Sequence, residues 1–211
     1  MAMKFVFGIL LLVLASYLVG VFLPQSYEVT RSVVIAGPRE EIQATLQDVS
    51  TWKDWSAFVP GGEAEQMVTS KYEGPVSGPG AIWIWGKDLA DKPARLEVLT
   101  SGAWGITYNL ELDGGRVESS GDISLESSDA GTLVTFVNGG ELASPWRRYF
   151  ALVANKAVGP ALSQSLDGLK VHIEEGRNVP GGADANPIEP ANSGQGETQP
   201  EVPESVGTSG Q

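Results

Sequence analysis

The chain has 211 residues, with 14 Lys and Arg against 26 Asp and Glu, one histidine and no cysteine, for a formal net charge of −12. Such an acidic chain is a poor match for phosphate backbones, so nucleic acid is not an expected partner. The absence of cysteine removes disulfide scaffolds, thiolate metal sites and a cysteine nucleophile, and His172 alone gives no material for a histidine metal cluster or a serine–histidine triad.

The first feature is a run of nineteen uncharged residues from Phe5 to Leu23, FVFGILLLVLASYLVGVFL. It approaches the roughly 20 residues that cross a bilayer core as a helix. A cleavable signal would have an apolar region of about 7–15 residues followed by a small-x-small site. Here Leu23, Pro24, Gln25 and Ser26 follow instead, so residues 1–24 are expected to be an uncleaved transmembrane anchor. Lys4 and the terminal amine place positive charge at the extreme N-terminus, which predicts that end inside and the following domain on the extracytoplasmic, periplasmic side of the cell membrane. Arg31 soon after reduces the asymmetry.

Residues 27–36, YEVTRSVVIA, alternate as a strand rich in β-branched side chains. Gly37-Pro38 ends it, and Pro38 with Glu40 and Glu41 predicts a helix to about Asp48 with Ile42 and Leu46 on its apolar face. Ser50-Thr51 precedes a second short turn whose Trp52 and Trp55 are expected to plug one end of a core. Strands are then predicted over residues 67–72, 81–85, 94–99, 106–112, 117–125 and 133–137, with a hairpin at Asp113-Gly114-Gly115. Their inward faces would carry Ala94, Leu96, Val98, Tyr108, Leu110, Ile123, Leu125, Val134 and Phe136. Arg95, Glu97, Glu111, Glu118, Asp122 and Glu126 would point to solvent.

Residues 145–175 read as a single long helix with Ser144 as its N-cap and an apolar stripe from Phe150 to Ile173. Gly159-Pro160 interrupts it as a candidate kink, and Ala154, Ala157 and Ala161 look like space left for a ligand. Beyond Glu175, residues 176–211 are rich in Pro, Gly, Glu, Ser and Asn without an aromatic, a composition that predicts a disordered acidic tail.

The order strand, two short helices, six antiparallel strands, long C-terminal helix makes an α+β domain over residues 25–175. YEVTRSVVIAGPREEIQATLQDVSTWKDW, GPVSGPGAIWIWG, GTLVTFVNGGEL and VGPALSQSLDGLKVHIE resemble the polyketide cyclase/dehydrase-like branch of the START/Bet v 1-like (SRPBCC) superfamily. The resemblance implies a helix-grip fold, a curved antiparallel sheet wrapped around a long C-terminal helix, with a cavity between them for a hydrophobic or aromatic small molecule. It carries over no catalytic residue, because the superfamily has no invariant catalytic set.

Trp83, Trp85, Leu96, Tyr108, Phe136, Tyr149, Val153 and Ala157 are the expected ligand-binding walls. Tyr108 and Ser119 on strands and Asn155 on the helix are the polar groups expected to orient a ligand, and Arg147 and Arg148 could meet an anionic head group. The leading expectation is a membrane-tethered, non-enzymatic module for a lipid-, quinone- or aromatic-like molecule, with no metal and no cofactor. Two other readings stay open. One is a cyclase or dehydratase acting on a polyketide-like substrate, which needs an inward acid or base. The other is a regulatory protein whose acidic tail reaches a protein partner.

Overall fold

In a computed structural model, which describes residues 2–59 and 68–178, the chain begins with helix α1 (Ala2–Phe22), whose Met3–Phe22 stretch is long and apolar enough to cross a membrane. Strand β1 (Ser26–Ile35) follows, then α2 (Arg39–Gln47) and the single turn α3 (Trp52–Trp55). Six more strands run in sequence: β2 (Thr69–Glu73), β3 (Ile82–Gly86), β4 (Ala94–Gly102), β5 (Gly105–Leu112), β6 (Val117–Ser128) and β7 (Gly131–Glu141). All seven form one antiparallel sheet in the order β1-β7-β6-β5-β4-β3-β2, so every neighbour from β2 to β7 is sequential and β1 closes on β7. Met67, expected to open a strand, lies outside the described residues, as do residues 179–211 of the expected tail.

Period-2 alternation explains which sheet face is covered. Leu96, Val98, Tyr108, Leu110, Ile123, Leu125, Val134 and Phe136 are all buried, as their spacing predicts. Opposite them, Arg95 bridges Glu97 at 2.7 Å and Glu111 at 3.3 Å on the outer face. Trp52 and Trp55 plug the core end, with rings 4.7 Å apart. The Asp113-Gly114-Gly115 turn uses positive φ at all three residues, which suits its two glycines.

The expectation of one helix over residues 145–175 needs correction. The chain forms a 3-10 helix (Arg147–Leu152), breaks at Val153 (φ −117°, ψ −5°) and only then enters α4 (Ala154–Asn178). Ser144 does act at the start, its carbonyl and hydroxyl both accepting from the Arg147 N–H. The physical cause of the break is divided allegiance. The first segment packs on α1, whereas Ala154, Leu162, Leu166, Leu169 and Ile173 of α4 are buried against the sheet and α3. Helix α4 continues through Pro160. Its two inner glycines serve close approach: a Cβ at Gly159 would collide with the Arg31 guanidinium, and one at Gly168 with the Trp55 carbonyl.

Candidate ligand cavity

Between the sheet and α4 lies a cavity of about 510 Å³, within the roughly 300–1,000 Å³ typical of small-molecule sites. Its floor is Tyr27 of β1, Leu110 of β5, Ser119 of β6 and Asn138 of β7. Ala157, Val158, Ala161 and Leu162 of α4 form the roof, and Ala57 and Phe58 after α3 close one side. Small side chains at two of the four roof positions leave the volume that larger ones would fill. Leu112, Val117, Glu118, Glu141 and Arg147, all exposed, mark the mouth. Arg147 reaches across it, donating from Nη2 to the Arg116 carbonyl at 2.6 Å.

The floor carries one polar cluster in otherwise apolar surroundings. Asn138 is almost fully buried. Its Nδ2 donates to the Tyr108 hydroxyl at 2.9 Å and to Ser119 Oγ at 3.3 Å, and its Oδ1 accepts from the Tyr27 hydroxyl at 3.4 Å. Tyr108 donates in turn to the Val137 carbonyl at 3.2 Å. Glycines make this geometry accessible. A Cβ at Gly121 would strike the Val137 carbonyl and lie 2.7 Å from the Tyr108 oxygen, and one at Gly140 would lie 2.9 Å from the Tyr27 ring. Burial raises the Tyr27 phenol, partly offset by a hydrogen bond with Ser119. Burial raises Tyr108 much further, against the opposing hydrogen bond from Asn138. Both phenols therefore stay protonated near neutral pH. The cluster offers hydroxyl donors and acceptors to one oxygen function of a ligand, set in an apolar chamber.

Of the residues expected to form walls, Ala157 lines this cavity. Trp83 and Trp85 stack on each other at 4.0 Å on β3, on the same inward face but outside the cavity lining, and Trp83 donates to Ser70 Oγ at 3.2 Å. Leu96 is buried on β4. Tyr108 and Phe136 pack edge to face at 5.8 Å, beneath the lining, with Phe58 in edge contact with Phe136 at 6.2 Å. Tyr149 faces α1, its hydroxyl donating to the Ser16 carbonyl at 2.6 Å. Val153 is half exposed at the helix break. Among the polar expectations, Ser119 lines the floor, and Asn155 accepts from Arg31 at 2.8 Å on the outside of α4. Sequence reasoning omitted Tyr27, Phe58 and Asn138; the inward period of β1 and β7, continued to the strand ends, is the signal that finds Tyr27 and Asn138.

Among the described residues no group of three His, Asp or Glu side chains is placed to hold a metal ion. The sequence model of a family described as polyketide cyclase / dehydrase and lipid transport matches residues 26–174. No curated protein matches the chain in sequence. Among solved structures, the KanY protein (ms6282), determined by NMR, is 14% identical, covers 71% of this chain and 98% of its own, and superposes with a TM-score of 0.52. A protein from Rhizobium leguminosarum gives 14%, 71%, 95% and 0.49 on the same measures. Ara h 8.0201 gives 12%, 71%, 99% and 0.45. At such identity the KanY likeness shows the fold alone.

Proposed function

The chain belongs to the polyketide cyclase / dehydrase and lipid transport family, and on that premise we propose that it is a membrane-tethered binding module. It holds one hydrophobic small molecule, lipid-, quinone- or aromatic-like, between the sheet and α4. The observation that carries this reading is the chamber of about 510 Å³ with apolar walls and a single polar cluster on its floor, the composition expected of a small-molecule site. The ligand's oxygen function sits against Ser119, Tyr27 and Asn138, and its apolar body lies under Ala157 and Ala161. Helix α1 supplies the tether, a single pass through the cell membrane with the domain on the extracytoplasmic side.

Binding is favoured over catalysis because the carboxylates of the described lining, Glu118 and Glu141, stand exposed at the mouth. A general base works best when burial tunes it towards the operating pH. One observation favours an enzyme: the half-buried Tyr27 phenol, kept protonated, is placed to polarise a carbonyl. A cyclase or dehydratase would lose turnover of an aromatic polyketide-like substrate in Tyr27→Phe while still binding it.

Titration of the full chain in detergent with the fluorescent fatty acid cis-parinaric acid tests the binding reading. Saturable, single-site uptake is expected in the native protein. Ala157→Trp, which places an indole in the chamber, should weaken uptake at least tenfold with an unchanged circular dichroism spectrum. Equal uptake by both proteins would refute the assignment of this cavity.

A further inference from the structure

The segment between β7 and α4 makes a set of contacts that the cavity does not require. Tyr149 donates to the Ser16 carbonyl at 2.6 Å, Arg148 Nη1 donates to the Val21 carbonyl at 2.8 Å, and the Trp146 ring lies 6.1 Å from that of Tyr17. Gly20 is buried, and a Cβ there would lie 2.5 Å from the Pro145 carbonyl oxygen. Ser16 and Gly20, four residues apart and so on one helical face, form the covered side of an otherwise exposed apolar helix.

Helix length decides where that segment lies. Met3–Phe22 is 20 residues, or about 30 Å at 1.5 Å per residue, the thickness of a bilayer's hydrocarbon core. Ser16 is six residues before Phe22, roughly 9 Å below the end of the span. Were Pro145–Tyr149 held clear of the bilayer, only the residues before Ser16 would remain to cross it, about 20 Å of helix. That length falls well short of the core. The span is complete only if the segment enters the bilayer surface. Its composition suits that position: Trp146 and Tyr149 are residues of the membrane–water boundary, and arginines hold their charge at its polar edge. Beside them Leu152 is 65% exposed and Val153 49% exposed, apolar surface that nothing in the domain covers.

We propose that residues 145–153 form an interfacial foot, seated in the head-group layer of the same leaflet from which α1 emerges, so that the cavity mouth opens onto that leaflet. This rests on the reading of α1 as a membrane span. Arg147 and Phe150 of the foot line the cavity, and the Leu142 N–H donates to the Gln25 carbonyl at 2.7 Å, which ties the rim of the mouth to the residues that leave the membrane. A hydrophobic ligand then moves between leaflet and chamber along the foot without crossing bulk water. The occupant of this surface is lipid, since the only neighbour the geometry requires at that depth is the bilayer holding α1.

The absence of native cysteine allows a direct test. The full chain, in liposomes of phosphatidylcholine and phosphatidylglycerol, is labelled with a nitrobenzoxadiazole fluorophore at one of four substitutions: Leu152→Cys, Trp146→Cys, Val76→Cys and Leu10→Cys. Val76 is exposed in the β2–β3 loop and Leu10 lies in the middle of α1. Nitroxides attached high on the lipid chain should quench labels at 152 and 146 at least threefold more than the label at 76, and aqueous iodide should give the reverse order. Quenching of the label at 10 by deep nitroxides alone, with 152 and 146 behaving like 76, would keep the tether and overturn the foot. If the label at 10 is open to iodide, both fall. Retained quenching at 152 with loss only at 146 would still support the foot, because replacing Trp146 removes one of its own anchors.

Discussion

Asn138 shows how much one side chain organises. Both of its Nδ2 hydrogens and its Oδ1 are used, tying β5, β6 and β1 together at the cavity floor. Its absence from a sequence reading has a physical origin. Asn138-Gly139-Gly140 has the composition of a turn, yet these residues continue β7 in register with β1 and β6. The glycines are there for proximity: a Cβ at Gly139 would lie 2.8 Å from the Tyr27 carbonyl oxygen. The buried Tyr108 phenol also sets a pH dependence. With its folded pKa raised above the unfolded value near 10, Tyr108 binds its proton more tightly in the folded state. Its contribution is fully present below about pH 10 and is lost as pH rises above that value. Tyr108→Phe should therefore unfold at lower urea concentration at pH 7, by about 1–3 kcal/mol for the Asn138 donor left unpaired. Its stability should also fall less steeply between pH 10 and 11.5. A parallel loss in both proteins would show that the phenol is not the titrating group.

At the scale of elements, period and turn chemistry made the sheet legible, because a strand buried on one face must repeat every two residues. That period assigns a side chain to a face and says nothing about whether it fills the core or borders an empty volume. Trp83 and Trp85 share the inward face with Leu110 and Ser119, but the indoles stack on each other on β3 while the chamber opens over β5, β6, β7 and β1. The division of residues 145–175 was hidden for another reason. A continuous apolar stripe does not reveal that its first turn packs on α1 and the rest on the sheet.

Helix α4 offers a test of how tightly it is docked. Alanine in place of glycine favours a helix by up to about 1 kcal/mol. At Gly176, where a Cβ meets nothing within 4 Å, Gly176→Ala should raise stability by up to that amount. At Gly168 the Cβ would collide with backbone, the Trp55 carbonyl, and overpacking of this kind costs about 1–3 kcal/mol. Gly168→Ala should therefore lower the denaturation midpoint. A gain in midpoint at both positions would mean that α3 and α4 are not closely packed.

The whole molecule brings three features to one end: the exit of α1 from its apolar span, the 3-10 helix, and the mouth of the cavity. The two hydrogen bonds from Tyr149 and Arg148 to α1, and the strap from Arg147 to Arg116, lie within three consecutive residues. The long apolar helix was legible in the sequence from its uncharged length, and the helix-grip domain from its order of elements. Their juncture could not be read from it, because Ser16, Gly20 and residues 145–149 meet across more than a hundred residues of chain. The central claim is that the chamber carries a hydrophobic molecule, and native mass spectrometry of the full chain released from detergent tests it most directly. The account predicts one non-covalent small-molecule adduct in repeated preparations, extractable into organic solvent and absent from Ala157→Trp. Bare protein mass in every native preparation, or an equal adduct on the variant, would contradict it.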